Sequence, residues 1–115
     1  MAKTPRKAIP QPSVTEEQRL IAKMEAAKRE WSLSHFIRSA LVRLIQESWG
    51  GFETTAQIVS KNITANDTVI IHNIYVSIET RAELDQLREK IGEYLGKRIT
   101  MSAMIRASID NFSRQ

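Results

Sequence analysis

Polar and apolar side chains alternate along residues 73–78, and the polar ones are of types that form hydrogen bonds. The polar residues are Asn73, Tyr75 and Ser77, and the apolar residues are Ile74, Val76 and Ile78. Successive side chains of a strand point to opposite faces, so the segment predicts a strand with one apolar and one polar face. An Asn amide and the Ser and Tyr hydroxyls can all donate and accept hydrogen bonds.

A second chemically distinct segment lies at the start of the sequence. Lys3, Arg6 and Lys7 have no acidic residue near them before Glu16. Residues 1–50 contain nine Lys and Arg against five Asp and Glu, whereas residues 51–115 contain eight of each. This excess of positive charge favours an acidic partner, and we interpret residues 1–12 as a basic arm. A solvated tail without a role is the alternative.

The residues that most enzymes and metalloproteins depend on are scarce. The chain has no Cys, and its two histidines, His35 and His72, are far apart in the sequence. There is no Gly-rich phosphate loop and no evident pair of carboxylates, so we expect no catalytic residue, metal, cofactor or small-molecule ligand. The sequence has neither an apolar stretch of membrane-spanning length nor a signal peptide, and we expect a cytoplasmic protein without membrane contact.

Two amphipathic helices are predicted in the first half of the chain. Residues 15–30 place four apolar residues on one helical face, with Thr15 or Ser13 as N-cap: Leu20, Ile21, Met24 and Ala27. A broader apolar stripe follows and ends before Gly50: Phe36, Ile37, Ala40, Leu41, Leu44 and Ile45. We expect these apolar residues to form core, and Trp31 and Trp49 to pack in the core or in turns.

Two further helices are predicted after residue 78. Thr80 and Glu83 have the spacing of a capping box, which predicts a helix start at Thr80. Leu84, Leu87, Ile91 and Leu95 would continue this helix, and Gly96 would end it. The last helix is predicted to begin near Thr100 or Ser102. Residues 51–68 are rich in Thr, Asn, Ser and Gly and predict a connector with one short extended piece at most.

The order strand, helix, short turn, helix over residues 71–113 resembles the ribbon-helix-helix family of DNA-binding proteins. Residues 100–109, TMSAMIRASI, are similar to the family's second-helix signature, although the first helix and its turn are a few residues longer than usual. The resemblance implies that two such strands pair antiparallel and enter the major groove of DNA. It also implies that Asn73, Tyr75 and Ser77 contact bases.

The resemblance further implies a phosphate at the N-terminus of the second helix, where free amides and the helix dipole favour an anion. Four residues surround that end and are the expected phosphate contacts: Lys97, Arg98, Thr100 and Ser102. The alternative is that Thr100 and Ser102 only cap the helix and bind no phosphate.

An internal repeat suggests two units in one chain. Residues 32–41, SLSHFIRSAL, match residues 100–109 position by position, which adds Ser32 and Ser34 to the expected phosphate contacts. We therefore predict a mainly α fold with a short antiparallel β-ribbon, a tandem, pseudo-dimeric ribbon-helix-helix. Its predicted parts are a basic arm with a possible short strand (1–12), a helix pair (13–50), a connector (51–70) and a complete unit (71–113).

Two arrangements of the ribbon remain open. Pro10 and Pro12 cannot donate to a strand ladder, so the arm allows only a short edge-like strand around residues 7–9. This strand could pair with residues 73–78 of its own chain, as an intrachain pseudo-dimer. Alternatively, residues 71–113 of two chains could pair in a homodimer. The first arrangement is slightly favoured by the similarity of the halves.

The function that we expect is sequence-specific binding to double-stranded DNA, without enzymatic activity. The resemblance implies either a transcriptional repressor or regulator, or an accessory protein for plasmid mobilisation and DNA processing. The competing hypothesis is a helical protein–protein interaction module that does not bind DNA.

Overall fold

A computed structural model describes residues 6–113. About 66% of this part is helical, and a short antiparallel β-ribbon completes it. The prediction of a mainly α fold with such a ribbon is therefore confirmed. The strands are β1 (Arg6–Ala8), β2 (Ser13–Thr15), β3 (Thr68–Ile70) and β4 (Tyr75–Ser77). The helices are α1 (Glu16–Lys28), α2 (Leu33–Gly50), α3 (Phe52–Ser60), α4 (Ile78–Leu95) and α5 (Met101–Ser113).

The β-ribbon is built from two distant segments of the same chain. β1 pairs antiparallel with β4, so that Arg6 lies opposite Ser77, and β2 pairs with β3, so that Thr15 lies opposite Thr68. Nine positions separate Arg6 from Thr15, and nine separate Thr68 from Ser77, so β1–β4 and β2–β3 have the same pairing register. Within residues 6–113 the ribbon is intrachain, which is the first of the two predicted arrangements.

Prolines interrupt the ribbon only where no strand hydrogen bond is required from them. Between β1 and β2, the Ile9 amide donates to the Ile74 carbonyl and the Ile71 amide donates to the Pro12 carbonyl, each at 2.9 Å. The Pro12 carbonyl thus acts as an acceptor, and this role does not need the N–H that proline lacks. The arm forms β1 as expected, but the second strand beyond Pro12 was not predicted.

The two segments of the ribbon repeat each other at a constant spacing. β1 and β3 begin 62 residues apart, and β2 and β4 begin 62 residues apart. Gln11 and Asn73, also 62 residues apart, both have positive φ, at 41° and 63°. Positive φ is uncommon outside glycine, so its occurrence at matching places indicates the same local backbone in both segments. We call residues 6–50 the first half and residues 68–113 the second half.

The centre of the core is the packing of α2 against α5. The side chains predicted for the apolar stripe of α2 are all buried, and those of α5 pack on them. Phe36 and Phe112 meet edge to face with ring centroids 4.8 Å apart. Ile74 and Val76 of the ribbon are buried as predicted.

Residues 52–60 form a helix, so the prediction of an irregular connector was wrong for this segment. Thr55, Ala56, Ile58 and Val59 are buried, and α3 packs against α2, α4 and α5. Thr and Val are weak helix formers, and the tertiary burial of one face outweighs that propensity.

The apolar face predicted for α1 is also wrong. Leu20 and Met24 are 53% and 60% exposed, whereas Gln18, Ala22 and Ala26 are buried. The small Ala side chains allow α1 to approach α2 and α5 closely, and Gln18 forms hydrogen bonds inside. Thr15 is the N-cap, as one of the two predicted options stated.

Ser77, rather than Thr80, is the N-cap of α4. The Ser77 hydroxyl accepts a hydrogen bond from the Thr80 amide at 3.1 Å, and α4 begins at Ile78. Because the strand ends earlier than predicted, Ile78 is 52% exposed and not part of the inner face. The predicted stop at Gly96 is confirmed: its φ of 66° is left-handed, which favours glycine.

A pair of leucine substitutions tests whether Leu20 of α1 faces solvent. Leu84→Ala removes a side chain that is fully buried in α4, and we expect it to lower the free energy of unfolding by about 2–5 kcal/mol. Leu20→Ala in α1 should change it by less than about 0.5 kcal/mol, because Leu20 faces solvent. Urea unfolding followed by circular dichroism gives both values, and equal losses would contradict the placement of α1.

Candidate nucleic-acid interface

The inner face of the ribbon is apolar and repeats between the two segments. Its buried residues form three pairs, each separated by 62 positions: Ile9 and Ile71, Pro12 and Ile74, Val14 and Val76. In both segments two consecutive residues with exposed side chains interrupt the alternation, at positions 10 and 11 and at positions 72 and 73. The interruption coincides with the positive φ of Gln11 and Asn73, so the middle of the ribbon presents four exposed side chains.

Only two of the three predicted base-contacting residues have free polar groups. Asn73 and Tyr75 are exposed, and within residues 6–113 their side chains take no part in capping a helix. Ser77 is half-buried, and its hydroxyl accepts from the Thr80 amide and donates to Thr80 Oγ1 at 2.9 Å. The Ser77 hydroxyl is therefore used in capping α4.

Gln11 and His72 are exposed beside Asn73 and were missed by the sequence analysis. Gln11 lies between two prolines, and the alternation pattern does not extend to it. The spacing of 62 residues from Asn73 is the signal that could have found it. Gln11 and Asn73 place an amide at matching positions of the two segments.

The N-termini of α2 and α5 both contact the ribbon. Ser32 caps α2 by accepting from the His35 amide at 3.1 Å, and the Ser34 hydroxyl donates to the Asn73 carbonyl at 3.0 Å. The N-terminus of α2 therefore lies directly beside the exposed residues of the ribbon.

The N-terminus of α5 is arranged similarly. Thr100 caps α5 by accepting from the Ala103 amide at 3.1 Å, and Ser102 accepts from the Ser13 amide at 3.0 Å. Of the two predicted caps, Thr100 is therefore the one used. Ser34 and Ser102, which match in the sequence repeat, both hold a helix end against the ribbon.

Lys97 and Arg98 are exposed in the turn before α5. They share a shallow groove with Asp85 and Glu89 of α4, so acidic groups lie near both. Arg6 and Lys7, predicted as part of the arm, are exposed in β1. Lys3 lies outside the described residues.

Arg106 of α5 is buried, and backbone carbonyls satisfy its guanidinium. Its Nη2 donates to the Asn62 carbonyl at 2.6 Å, and its Nη1 donates to the Ser13 carbonyl at 2.9 Å. Burial lowers the pKa of Arg106. Nearby, the Asn62 side chain accepts from Gln18 at 2.9 Å and donates to Asp110 at 3.0 Å. This network ties α1, α5, β2 and the end of α3 together.

Arg38 of α2 holds the position that matches Arg106 in the sequence repeat, but its surroundings differ. It is half-buried, and within residues 6–113 it has neither a carboxylate partner nor a carbonyl acceptor. Burial lowers the pKa of Arg38, and the nearby positive charge of Arg6 lowers it further. Sequence reasoning gave no reason to separate these two arginines.

The two tryptophans have different environments. Trp31 is half-buried and stacks on His35, with ring centroids 4.4 Å apart, which agrees with the predicted role in turn packing. Trp49 is 73% exposed, so the prediction that it packs in the core or a turn was wrong.

Comparisons with protein-family models, with curated proteins and with solved structures found no match for this chain. None of the helices within residues 6–113 has both the length and the apolar character needed to cross a membrane. In the same part of the chain, no three or more His, Asp or Glu side chains gather as a group that could hold a metal ion.

Replacing the two matching arginines separately tests their different environments. Arg106→Ala should lower the free energy of unfolding by about 2–3 kcal/mol or more, because buried carbonyls lose a charged donor. Arg38→Ala should cost less than about 1 kcal/mol, because no acceptor is left unpaired. Urea unfolding of both variants checks this, and a larger loss for Arg38→Ala would contradict the contrast.

Proposed function

We propose that this chain is a sequence-specific DNA-binding protein with a tandem, pseudo-dimeric ribbon-helix-helix fold, which inserts its β-ribbon into the major groove. The observation that carries the proposal is the 62-residue repeat of the ribbon, with Gln11 and Asn73 exposed at matching positions. A two-stranded ribbon fits the major groove, which is about 12 Å wide. The pairing of both strands within one chain makes a second chain unnecessary for such a ribbon.

The exposed residues define what the ribbon would read. Gln and Asn amides can each bond adenine bidentately, so Gln11 and Asn73 are the proposed base contacts of the two half-sites, with Tyr75 beside them. Tyr75 of β4 matches the half-buried Ser13 of β2, and His72 matches Pro10. We therefore expect an operator with two related but unequal halves.

Phosphate contacts at the helix ends would position the ribbon. The N-termini of α2 and α5 lie against the ribbon through Ser34 and Ser102. Unpaired amides at such ends favour anions, and Ser32 and Thr100 occupy the same ends as caps. Lys97 and Arg98 would add positive charge beside α5.

The biological role within this function is either transcriptional repression or regulation, or assistance in plasmid DNA processing. Both roles require the same ribbon contacts, and neither requires catalysis by this chain.

Selection from a random duplex library at several salt concentrations tests the proposal. We expect enrichment of one sequence and a linear fall of log affinity with log salt concentration. Static light scattering of the complex should show one chain per site. Absence of any duplex binding at low salt would overturn the proposal.

Asn73→Gly tests the assignment of base contacts. Glycine keeps the positive φ of this position but removes the amide, so we expect the preferred site to lose about 1–3 kcal/mol of its advantage over other duplexes. Lys97→Ala is the matched control, and it should weaken all duplexes alike and reduce the salt slope by about 0.9. If both variants had the same effect on discrimination, the assignment of roles would be wrong.

One observation favours a second candidate, a helical protein–protein interaction module. Trp49, Phe52 and Tyr94 line a groove of about 750 Å³ between α2, α3 and α4, and Phe52 meets Tyr94 edge to face at 5.5 Å. Exposed aromatic side chains are enriched in protein interfaces. Trp49→Ala separates the candidates, because it should leave duplex binding unchanged if the ribbon carries the function.

A further inference from the structure

Four arginines line an open groove on the first half, which we call the arginine groove. Its volume is about 890 Å³, and its arginines are Arg6, Arg29, Arg38 and Arg43. The groove runs from β1 along the outer side of α2. His35 and Trp31 lie at its end near the N-terminus of α2. It is therefore continuous with the edge of the ribbon and with a helix end that touches Asn73.

The charges in this groove are only partly neutralised. Arg29 pairs with Glu25 at 2.7 Å, and Arg43 lies 3.9 Å from Glu47. Arg6 and Arg38 have no carboxylate partner within residues 6–113. Arg6 and Arg38 line the same stretch of the groove, so an anion bound there would reduce the repulsion between their like charges.

Two of the four arginines, Arg29 and Arg43, lie over aromatic rings. The guanidinium of Arg29 lies 4.8 Å and that of Arg43 lies 5.0 Å from the centroid of the Phe112 ring. Arg29 also lies 5.6 Å from the Trp31 ring. Stacking of this kind restricts the motion of the guanidinium, so less conformational entropy is lost when it binds a ligand.

The second half has no equivalent of this groove at the matching arginine. The Asn62 and Ser13 carbonyls occupy the donors of Arg106, and the segment that follows α3 covers it. Within residues 6–113, no segment covers Arg38 in the same way. The two halves therefore differ in charge accessibility even though the ribbon segments repeat.

We propose that the arginine groove binds the phosphate backbone of the same duplex that the ribbon reads, so that contact extends further on the side of the first half. This inference rests on the proposed DNA-binding function. The planar guanidinium suits bidentate contacts with phosphate oxygens, and a row of separated cations suits a phosphodiester chain. The protein would consequently bind its operator in one orientation, with a longer footprint on one side.

Arg38→Gln tests the inference through affinity. We expect roughly tenfold weaker binding to every duplex, which corresponds to about 1.4 kcal/mol, and a salt slope smaller by about 0.9, as for one lost phosphate contact. Arg38→Lys, which keeps the charge, should recover part of the slope. Lys90→Gln is the matched control, since it removes one positive charge from α4 beside Trp49 and Tyr94.

Hydroxyl-radical footprinting of the preferred duplex gives a second readout that a loss of stability would not imitate. Wild type should protect extra backbone sugars beyond one half-site only, and Arg38→Gln should lose that protection while the central protection remains. Thermal melting of each variant confirms folding. If Arg38→Gln did not fold, Arg6→Gln at the start of β1 would test the same groove.

The outcomes separate the inference from the function on which it rests. If wild type binds no duplex, both are overturned. If wild type binds but Arg38→Gln behaves like Lys90→Gln, or if the footprint is symmetric, only the arginine groove is overturned. Loss of the one-sided protection together with the smaller salt slope would support it.

Discussion

The antiparallel pairing of residues 6–15 with residues 68–77 is the constraint on which the rest of the structure depends. It joins segments 62 residues apart, and such a closure costs chain entropy that many contacts must offset. Burial of the inner face of the ribbon, including Ile9 and Ile74, supplies part of this stabilisation. The two ribbon segments lead directly into α1 and α4, and the helix that follows each of these, α2 or α5, packs against the other. The same pairing positions the exposed face of the ribbon and the N-termini of α2 and α5 beside it.

The halves share a ribbon but differ around their matching arginines. α3 and the residues after it pack beside α5, where the Asn62 carbonyl binds Arg106. Burying a guanidinium is costly unless its donors are satisfied, and here carbonyls satisfy them. In the first half, the donors of Arg38 remain available beside Arg6. The segment between the halves covers the arginine of the second half only, and the surface is therefore asymmetric, which matters for any partner that contacts both halves.

The sequence patterns succeeded where burial is continuous and strongly periodic. The apolar stripe of α2, the start of α5 near Thr100, the end of α4 at Gly96 and the inward direction of Ile74 and Val76 were all predicted. They failed for α1, where two apolar residues face solvent, and for α3, where weak helix formers are buried. In the candidate site, the exposure of Asn73 and Tyr75 was predicted, whereas Gln11 and the arginine groove were not. Residues from β1, the turn after α1, α2 and α5 form that groove, and no local pattern connects them.

By itself, the sequence determined which segments have an apolar face, where capping residues and glycine can end a helix, and that one ten-residue pattern occurs twice. These properties are local, because they follow from side-chain spacing and backbone preferences. Only the tertiary structure decided that the ribbon closes within the chain, that α3 is a helix and that Ser77 is used as a cap. It also decided which of two matching arginines is covered. Those outcomes depend on the free energies of contacts between distant segments. Local sequence patterns carry no information about these contacts.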